Sequence, residues 1–466
     1  MLLRSHRDEH IRAPALVADA RTADQDTTGQ ARQARDVTGP SGRGWRGWMA
    51  WLGPIVLATA LLLYLIEYLC WPAYLMQIDV LVYRFGAQRV LDGRDLYATG
   101  ILGNPRDLLF TYSPFAALCF IPLALLGRLC VQILSLAASL ALLTYAVHRM
   151  LRSAGARPPQ AGAGAPQGVW SLTALLVGLI AWLEPVRFSV QLGQINLAIL
   201  AVVVAEVLAP PQRKWAGVAL GIVAGIKLTP VLFIVYLAMI GRRRAALLAT
   251  AALAGTIVIG FLVLPKDSNY YWLARHFDDP RRINRDPGVS FNVDGLFLRM
   301  HYPTTLGTVV AIALAIAGLA LALAAHRRGH AVLGIALVGL AMTTASPFSW
   351  SHHWVWLAPL IVHLGYRAHV LKSARSACAM WFLWAACAAW PVSLQGKTPE
   401  PGLIKLRPGG IWNEVVPAGY VVVYLVVCGC TAVWLWSRPP PTGARPAPDS
   451  YAGRTPSQFI SAQRSA

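Results

Sequence analysis

Runs of apolar residues close to the ~20 residues needed to cross a bilayer recur along most of this chain, separated by short polar loops. The first is about Trp48–Leu69. Others follow at 110–126, 128–147, 169–184, 192–209, 216–240, 246–264, 305–325, 331–348, 354–366, 377–394 and 415–436. The pattern predicts an all-α polytopic membrane protein with about 10–12 membrane helices. Between the first two runs, Met76–Arg94 reads MQIDVLVYRFGAQRVLDGR. Its apolar Val80, Val82 and Val90 alternate with polar Tyr83, Arg84, Gln88 and Arg89, which predicts a short amphipathic helix on the bilayer surface. Asp79 stands at its start, at the expected membrane–water boundary. By residue type alone, a lone carboxylate there fits a helix N-cap or a solvated charge better than a catalyst.

Only 13% of the 466 residues are charged and 56% are hydrophobic, whereas soluble domains carry about a quarter charged. A net charge of +20 would suggest nucleic acid, but the Arg and Lys sit in short loops between apolar runs and in the N-terminal tail. That is the positive-inside pattern of a membrane protein, and no nucleic-acid partner is expected. Residues 1–45 read as a disordered cytoplasmic tail. Residues 46–436 form the multispan domain, with external loops at 70–109, 265–303 and 395–413, and 437–466 form a Pro-rich cytoplasmic tail. The polar N-terminus shows no cleavable signal peptide. The seven cysteines lie in or beside apolar runs without zinc or disulfide spacing, and read as small packing residues.

Charge also bears on the number of spans. Counting every run gives about twelve, and puts the loop carrying Arg149, Arg152 and Arg157 outside together with PQRKW (211–215), against the charge rule. If 110–126 and 216–240 are re-entrant or surface-lying, broken by Pro114, Pro122 and Pro230, about ten spans remain and every basic loop falls inside. This version is preferred. It gathers Asp79, EPVRF (184–188), QLGQIN (191–196), loop 265–303 and SWSHHW (349–354) on one external face, with both termini cytoplasmic.

Among these, Glu184 and Lys227 come closest to lying inside apolar runs, where an ionisable group is costly unless paired or solvated. Glu184 has Arg187 nearby as a structural partner; Lys227, in mid-run, is badly placed to snorkel. His352 and His353 lie between Trp350 and Trp354, and interfacial tryptophans are ordinary anchors. Adjacent histidines on a helix point about 100° apart and do not share one metal; one is expected to face a cavity as a donor to phosphate. Loop 265–303 is long for a plain connection, and its Tyr270, Tyr271, Trp272, Arg281, Arg282, Asn284 and Asn292 suit a sugar-binding cap. There is no nucleotide cradle, Walker motif or HExxH, and no DxD-like pair follows the first span, so neither metal nor cofactor is expected.

Several stretches together resemble glycosyltransferase family 87, the polyprenyl-phosphate-mannose-dependent α-mannosyltransferases of the C-type superfamily. They are IDVLVY (78–83), FTYSPFAA (110–117), WLEP (182–185), GQIN (193–196), GIVAGIKLTP (221–230) and SPFSWSHHWVW (346–356). Order and spacing agree over about residues 50–370, with Ser113 standing where the family usually has Pro. The resemblance implies a C-type fold and an inverting transfer of mannose from a β-linked polyprenyl phosphate to a lipid-linked mannoside. The product linkage would be α-1,2, in envelope glycolipids of the phosphatidylinositol mannoside or lipomannan type, made outside the plasma membrane. It maps the general base onto Asp79. The donor phosphate is assigned to His352 or His353, with Lys227 and Arg84 as alternatives. Tyr83, Glu184, Gln191, Gln194, Asn196, Asn292 and Trp350 are expected to position sugar or acceptor. A pentose donor such as arabinose stays open within the family. A transporter or flippase of a lipid-linked sugar is the competing class, but no internal repeat is visible and the polar motifs gather at one face. A structural scaffold would leave that polar cluster unexplained.

Overall fold

The computed structural model describes residues 41–70, 77–103, 108–155, 168–274, 290–388 and 418–437. The expected tails, apart from their inner ends, and loop 395–413 lie outside the described residues, as do Arg157, Arg281, Arg282 and Asn284. The chain forms two compact units, Met1–Trp51 and Leu52–Ala466; of the first, only the opening turns of α1 are described, and the architecture below is that of the second.

In chain order the helices are α1 (Ser41–Cys70), α2 (Ile78–Leu91), α3 (Pro114–Cys119), α4 (Ile121–Ala124), α5 (Arg128–Ser153) and α6 (Gly168–Ala181). They continue as α7 (Glu184–Leu192), α8 (Asn196–Val207), α9 (Val218–Ile226), α10 (Val231–Met239), α11 (Arg243–Val263) and α12 (Pro265–Ser268). The last are α13 (Val293–Arg299), α14 (Thr304–Arg327), α15 (Ala331–Ala345), α16 (Leu357–His369), α17 (Ala374–Cys387) and α18 (Gly419–Trp436), with a 3₁₀ turn at Ser351–Trp356. Among the described residues there is no strand beyond an isolated Leu183–Ala388 bridge. The protein is an all-α polytopic membrane protein. Trp51–Cys70, α5, α11, α14 and α18 are each long and apolar enough to cross a bilayer, and α7 with α8, bent by 118°, qualify as a pair.

Two of the expected runs are not continuous helices. Residues 110–126 fold as the short α3 and α4, with Pro114 and Pro122 each in a first turn, where a missing N–H costs nothing. Residues 216–240 fold as a hairpin of two nine-residue helices, α9 and α10. At ~1.5 Å per residue each is about 14 Å long, half a hydrocarbon core. Both ends of the hairpin return to the foot of α8. There the Gly217 N–H donates to Glu206 Oε2 (2.5 Å), and Arg242 donates to the carbonyls of Glu206 (2.9 Å) and Val207 (2.8 Å). Arg213 pairs with Glu206 (3.2 Å), and Arg149 donates to the Leu208 carbonyl (2.6 Å). Three basic loops thus meet at one end of the bundle, as the re-entrant version of the topology expects.

The hairpin is seated by glycine. Gly221 and Gly225 face α11, and a Cβ would lie 2.1 Å from the Ala249 carbonyl oxygen and 2.1 Å from Thr256 Oγ1 respectively. Only hydrogen fits there, so α9 and α11 pack backbone to backbone. Ser113 supplies the opposite contact. Its Oγ caps α3 by accepting from the Ala116 N–H (3.1 Å) and donates to the Gly225 carbonyl (2.6 Å), one of the orphan acceptors at the end of α9.

The expected helix after the first span is α2. Val80, Leu81, Val82 and Tyr83 are buried in succession, enclosed by α3, α4, α5 and α7. Four successive buried residues replace the alternation the sequence suggested, while Ile78 and Asp79 before them stay half-buried.

Candidate functional site

The site forms where three chain breaks meet. At the first, Gln77 takes a left-handed conformation (φ 47°, ψ 51°), which costs a residue with a Cβ about 1–2 kcal/mol, and its N–H donates to the Gln191 carbonyl (3.1 Å). At the second, Gly193 ends α7 in the left-handed region (φ 69°) and turns the chain into α8, delivering Gln194 and Asn196. At the third, α9 stops at Lys227, whose backbone is extended (φ −134°, ψ 121°), and Pro230 starts α10.

Asp79 lies in the first turn of α2, but Gln77 holds the cap position and no side chain caps the helix. The half-buried Asp79 carboxylate turns instead to Gln194, whose Nε2 donates to Oδ2. No described residue hydrogen-bonds Oδ1. Gln194 Oε1 is within 3.0 Å of the Tyr83 hydroxyl and 3.1 Å of the Tyr112 hydroxyl, and the two hydroxyls lie 2.8 Å apart. Burial raises the Asp79 carboxyl to about 6, against the Gln194 hydrogen bond and the attraction of Lys227, which both favour the charged form.

Lys227 joins this cluster to a second one. Its Nζ donates to Asn196 Oδ1 (3.0 Å), sits 3.4 Å from His353 Nε2, and lies 5.8 Å from the centre of the Tyr112 ring. Asn196 in turn donates from Nδ2 to the His352 carbonyl (2.9 Å) and Ser189 Oγ (3.3 Å), fixing the 3₁₀ turn against α7 and α8. The two histidines therefore differ. The His353 ring reaches Lys227, whereas the His352 ring packs edge-on to Phe188 (5.3 Å) and parallel to Trp350 (5.7 Å). A small cavity opens here, lined among others by Asn196, Lys227, Thr229, Ser346, Ser349 and His353. Ser349 is fully buried, and its Oγ has no hydrogen-bond partner among the described residues.

The structure thus brings together Asp79, Tyr83, Gln194, Asn196, Lys227 and His353. The other expected site residues have partners within the protein. Arg84 Nε donates to the Leu126 carbonyl (2.9 Å) and ties α2 to the end of the α3–α4 segment. Glu184 is buried, accepting from Ser351 Oγ (2.8 Å) and from the Tyr420 hydroxyl. Arg187, its expected partner, instead forms a two-pronged pair with Glu67, at 2.5 and 3.2 Å. Asn292 caps α13, accepting from the Gly295 N–H (2.9 Å) and Ser290 Oγ (2.6 Å) and donating to the Ser346 carbonyl. Gln191 contributes its backbone carbonyl, and Trp350 stacks beside His352. In the described parts of loop 265–303, Lys266 pairs with Asp95 (2.7 Å) and Asp267 accepts from the Leu96 N–H (3.0 Å), fastening the segment after α11 to the loop after α2.

Tyr112, Thr229 and Ser349 were not singled out from sequence, although each lies in a quoted motif: FTYSPFAA, KLTP and SPFSW. Hydroxyls in apolar runs carry no charge signal, and only the fold shows which of them converge. Among the described residues, no three or more of His, Cys, Asp and Glu gather where a metal ion would sit.

Comparison with known proteins follows the same motifs. The model of glycosyltransferase family 87 matches residues 110–347, which includes Gln194, Asn196 and Lys227 but neither Asp79 nor His353. A polyprenol-phosphate-mannose-dependent α-(1-2)-phosphatidylinositol mannoside mannosyltransferase of Mycobacterium tuberculosis is 32% identical over 62% of this chain and 70% of its own. Its counterpart in Mycolicibacterium smegmatis is 30% identical over 74% of this chain and 81% of its own. A phosphatidylinositol pentamannoside mannosyltransferase of M. smegmatis is 31% identical over 77% and 84%. No solved structure matches.

Proposed function

The chain belongs to glycosyltransferase family 87, and from that premise we propose an inverting mannosyltransferase that uses polyprenyl-phosphate-β-mannose as donor. The acceptor is a lipid-linked mannoside of the phosphatidylinositol mannoside or lipomannan type, and the bond formed is α-(1,2). The names of the relatives support donor, acceptor class and linkage. The observation that carries the mechanism is the meeting of a half-buried carboxylate and a half-buried ammonium at one group of chain breaks, beside an open cavity.

The donor phosphate lies at Lys227 and His353, and the acceptor hydroxyl at Asp79 Oδ1. The hydroxyl oxygen attacks the anomeric carbon on the face opposite the phosphate while Asp79 takes its proton. The new C–O bond forms as the bond to the phosphate oxygen breaks, and the polyprenyl phosphate leaves with that electron pair, so the β-linkage becomes α. Lys227 and His353 face the charge that builds on the leaving group, where fixed donors shielded from water act most strongly. The step as written uses no metal, and chelator is expected to leave the rate unchanged. Gathering of the basic loops at the far end of the bundle supports a cytoplasmic placement for that end and an external one for the site.

Purified protein with radiolabelled polyprenyl-phosphate mannose and a mannoside acceptor is expected to form a new glycosidic bond. Movement of intact lipid across a vesicle membrane without bond formation would make the protein a carrier instead.

A further inference from the structure

Gln194 was expected to position sugar or acceptor, but its amide is already engaged with the protein. Oε1 is held by the Tyr83 and Tyr112 hydroxyls at 3.0 and 3.1 Å, and Nε2 donates to Asp79 Oδ2. Two hydroxyl protons serve this corner: one reaches Oε1 and the other bridges the hydroxyls across 2.8 Å. An accepting Oε1 fixes which end of the amide meets Asp79, since the reversed amide would set a carbonyl oxygen against a carboxylate. We infer that Gln194 is a positioning residue for Asp79, and that Tyr112 with Tyr83 sets its orientation, so that Oδ2 is occupied and only Oδ1 is presented to the acceptor hydroxyl.

The local construction fits that role. Tyr83 lies one turn beyond Asp79 on α2, so both side chains leave the same face. Its ring is stacked on Phe120 (4.7 Å) and meets Tyr112 edge-on (5.0 Å), which leaves the hydroxyl little freedom. Tyr112 also lies under the Lys227 ammonium, so the relay links the base to the cation that faces the phosphate. Hydrogen bonds in such a chain polarise one another, and the tyrosines make the Gln194 N–H a better donor. The charged and titratable groups facing Asp79 are Lys227, Tyr83 and Tyr112, with His353 behind Lys227. On the packed helices, Glu184 and Arg187 of α7 are engaged with Ser351, Tyr420 and Glu67; Arg128 of α5 is exposed; Arg84 of α2 is bonded to Leu126.

The inference rests on reading Asp79 as the base, and the test separates the two. Gln194→Met keeps the length of the side chain and loses every hydrogen bond of the amide; Tyr112→Phe keeps the ring and loses one hydroxyl. Transfer is measured on the purified full chain with polyprenyl-phosphate mannose and a mannoside acceptor across pH 5–8, beside Asp79→Asn. Gln194→Met should lower kcat about 30-fold, within the range for mispositioned general bases. KM for both substrates should stay within about twofold, and the acid limb of kcat/KM should move to higher pH, because a bond favouring the carboxylate is gone. Tyr112→Phe should shift the limb the same way, with a loss of about threefold. A rise in KM at unchanged kcat would make Gln194 a sugar ligand and overturn the inference. So would two unmoved pH profiles, with Asp79→Asn still inactive. If Gln194→Met yields no folded protein, Tyr112→Phe decides alone. Activity in Asp79→Asn overturns the base itself, whatever Gln194 does.

Discussion

The two ends of α7 hold polar clusters of opposite character. At its start, Arg187 and Glu67 close on each other through two hydrogen bonds, and Glu184 is enclosed by Ser351 and Tyr420. Past its end, Asp79 accepts one hydrogen bond on one oxygen, Lys227 borders a cavity, and Ser349 is buried without a partner among the described residues. Both clusters carry charge inside an apolar bundle. What separates them is how far their bonding capacity has been used: the first is closed by the protein, and the second keeps open positions that a substrate would fill. A buried polar atom left open costs about 1–3 kcal/mol, and such a cost persists where function requires it.

The largest way to break this contrast is to unseat the hairpin that carries Lys227. Gly221→Leu drives a side chain into the Ala249 carbonyl, and detergent extraction followed by size exclusion should recover no monodisperse protein. Lys227→Met should fold and lose about 100-fold in transfer rate, about 2.7 kcal/mol of transition-state stabilisation. A loss below about threefold would remove the cation from the leaving-group role. The pH profile comes next. Asp79 must be unprotonated to act, and burial holds its carboxyl near about 6. The rate should therefore level off above that pH and fall about tenfold per unit below it; a flat profile down to pH 5 would contradict the assignment. The smallest effect belongs to Arg84→Ala. With its Nε bonded to Leu126, transfer should change by less than about threefold, and a larger loss would return Arg84 to the phosphate.

These contrasts also show what the sequence could and could not carry. Hydropathy gave the all-α membrane class, and the charge of the Arg149 loop and PQRKW pointed to a break in 216–240, which folds as a hairpin, because span length and loop charge are local properties. Asp79, Lys227 and the histidine pair stood out as rare polar groups in apolar surroundings. The same rarity singled out Glu184 and Asn292, which are hydrogen-bonded within the protein. Rarity reports that a polar group is buried, and the partner that satisfies it is set by the fold. Arg187 has Glu184 three residues away and pairs with Glu67, 120 residues away. Tyr112 escaped notice for the converse reason: a tyrosine in an apolar run is ordinary until Tyr83 and Gln194 converge on its hydroxyl and Lys227 on its ring. Which histidine faces the cavity depended on the 3₁₀ turn at Ser351–Trp356, a backbone detail with no periodic signal.

The central claim is that Asp79, past the end of α7, acts in transfer, whereas Glu67, paired with Arg187 near its start, holds the fold. Asp79→Asn and Glu67→Gln, each nearly isosteric, should therefore fail in opposite ways when folded yield and transfer per folded molecule are measured side by side. Asp79→Asn should keep its yield and its donor binding while losing at least about 1,000-fold in transfer. Glu67→Gln strands a buried Arg187 and should lose about 3–5 kcal/mol of stability, with the surviving folded fraction turning over near the normal rate. Substantial transfer by Asp79→Asn, or an inactive but fully folded Glu67→Gln, would contradict the account.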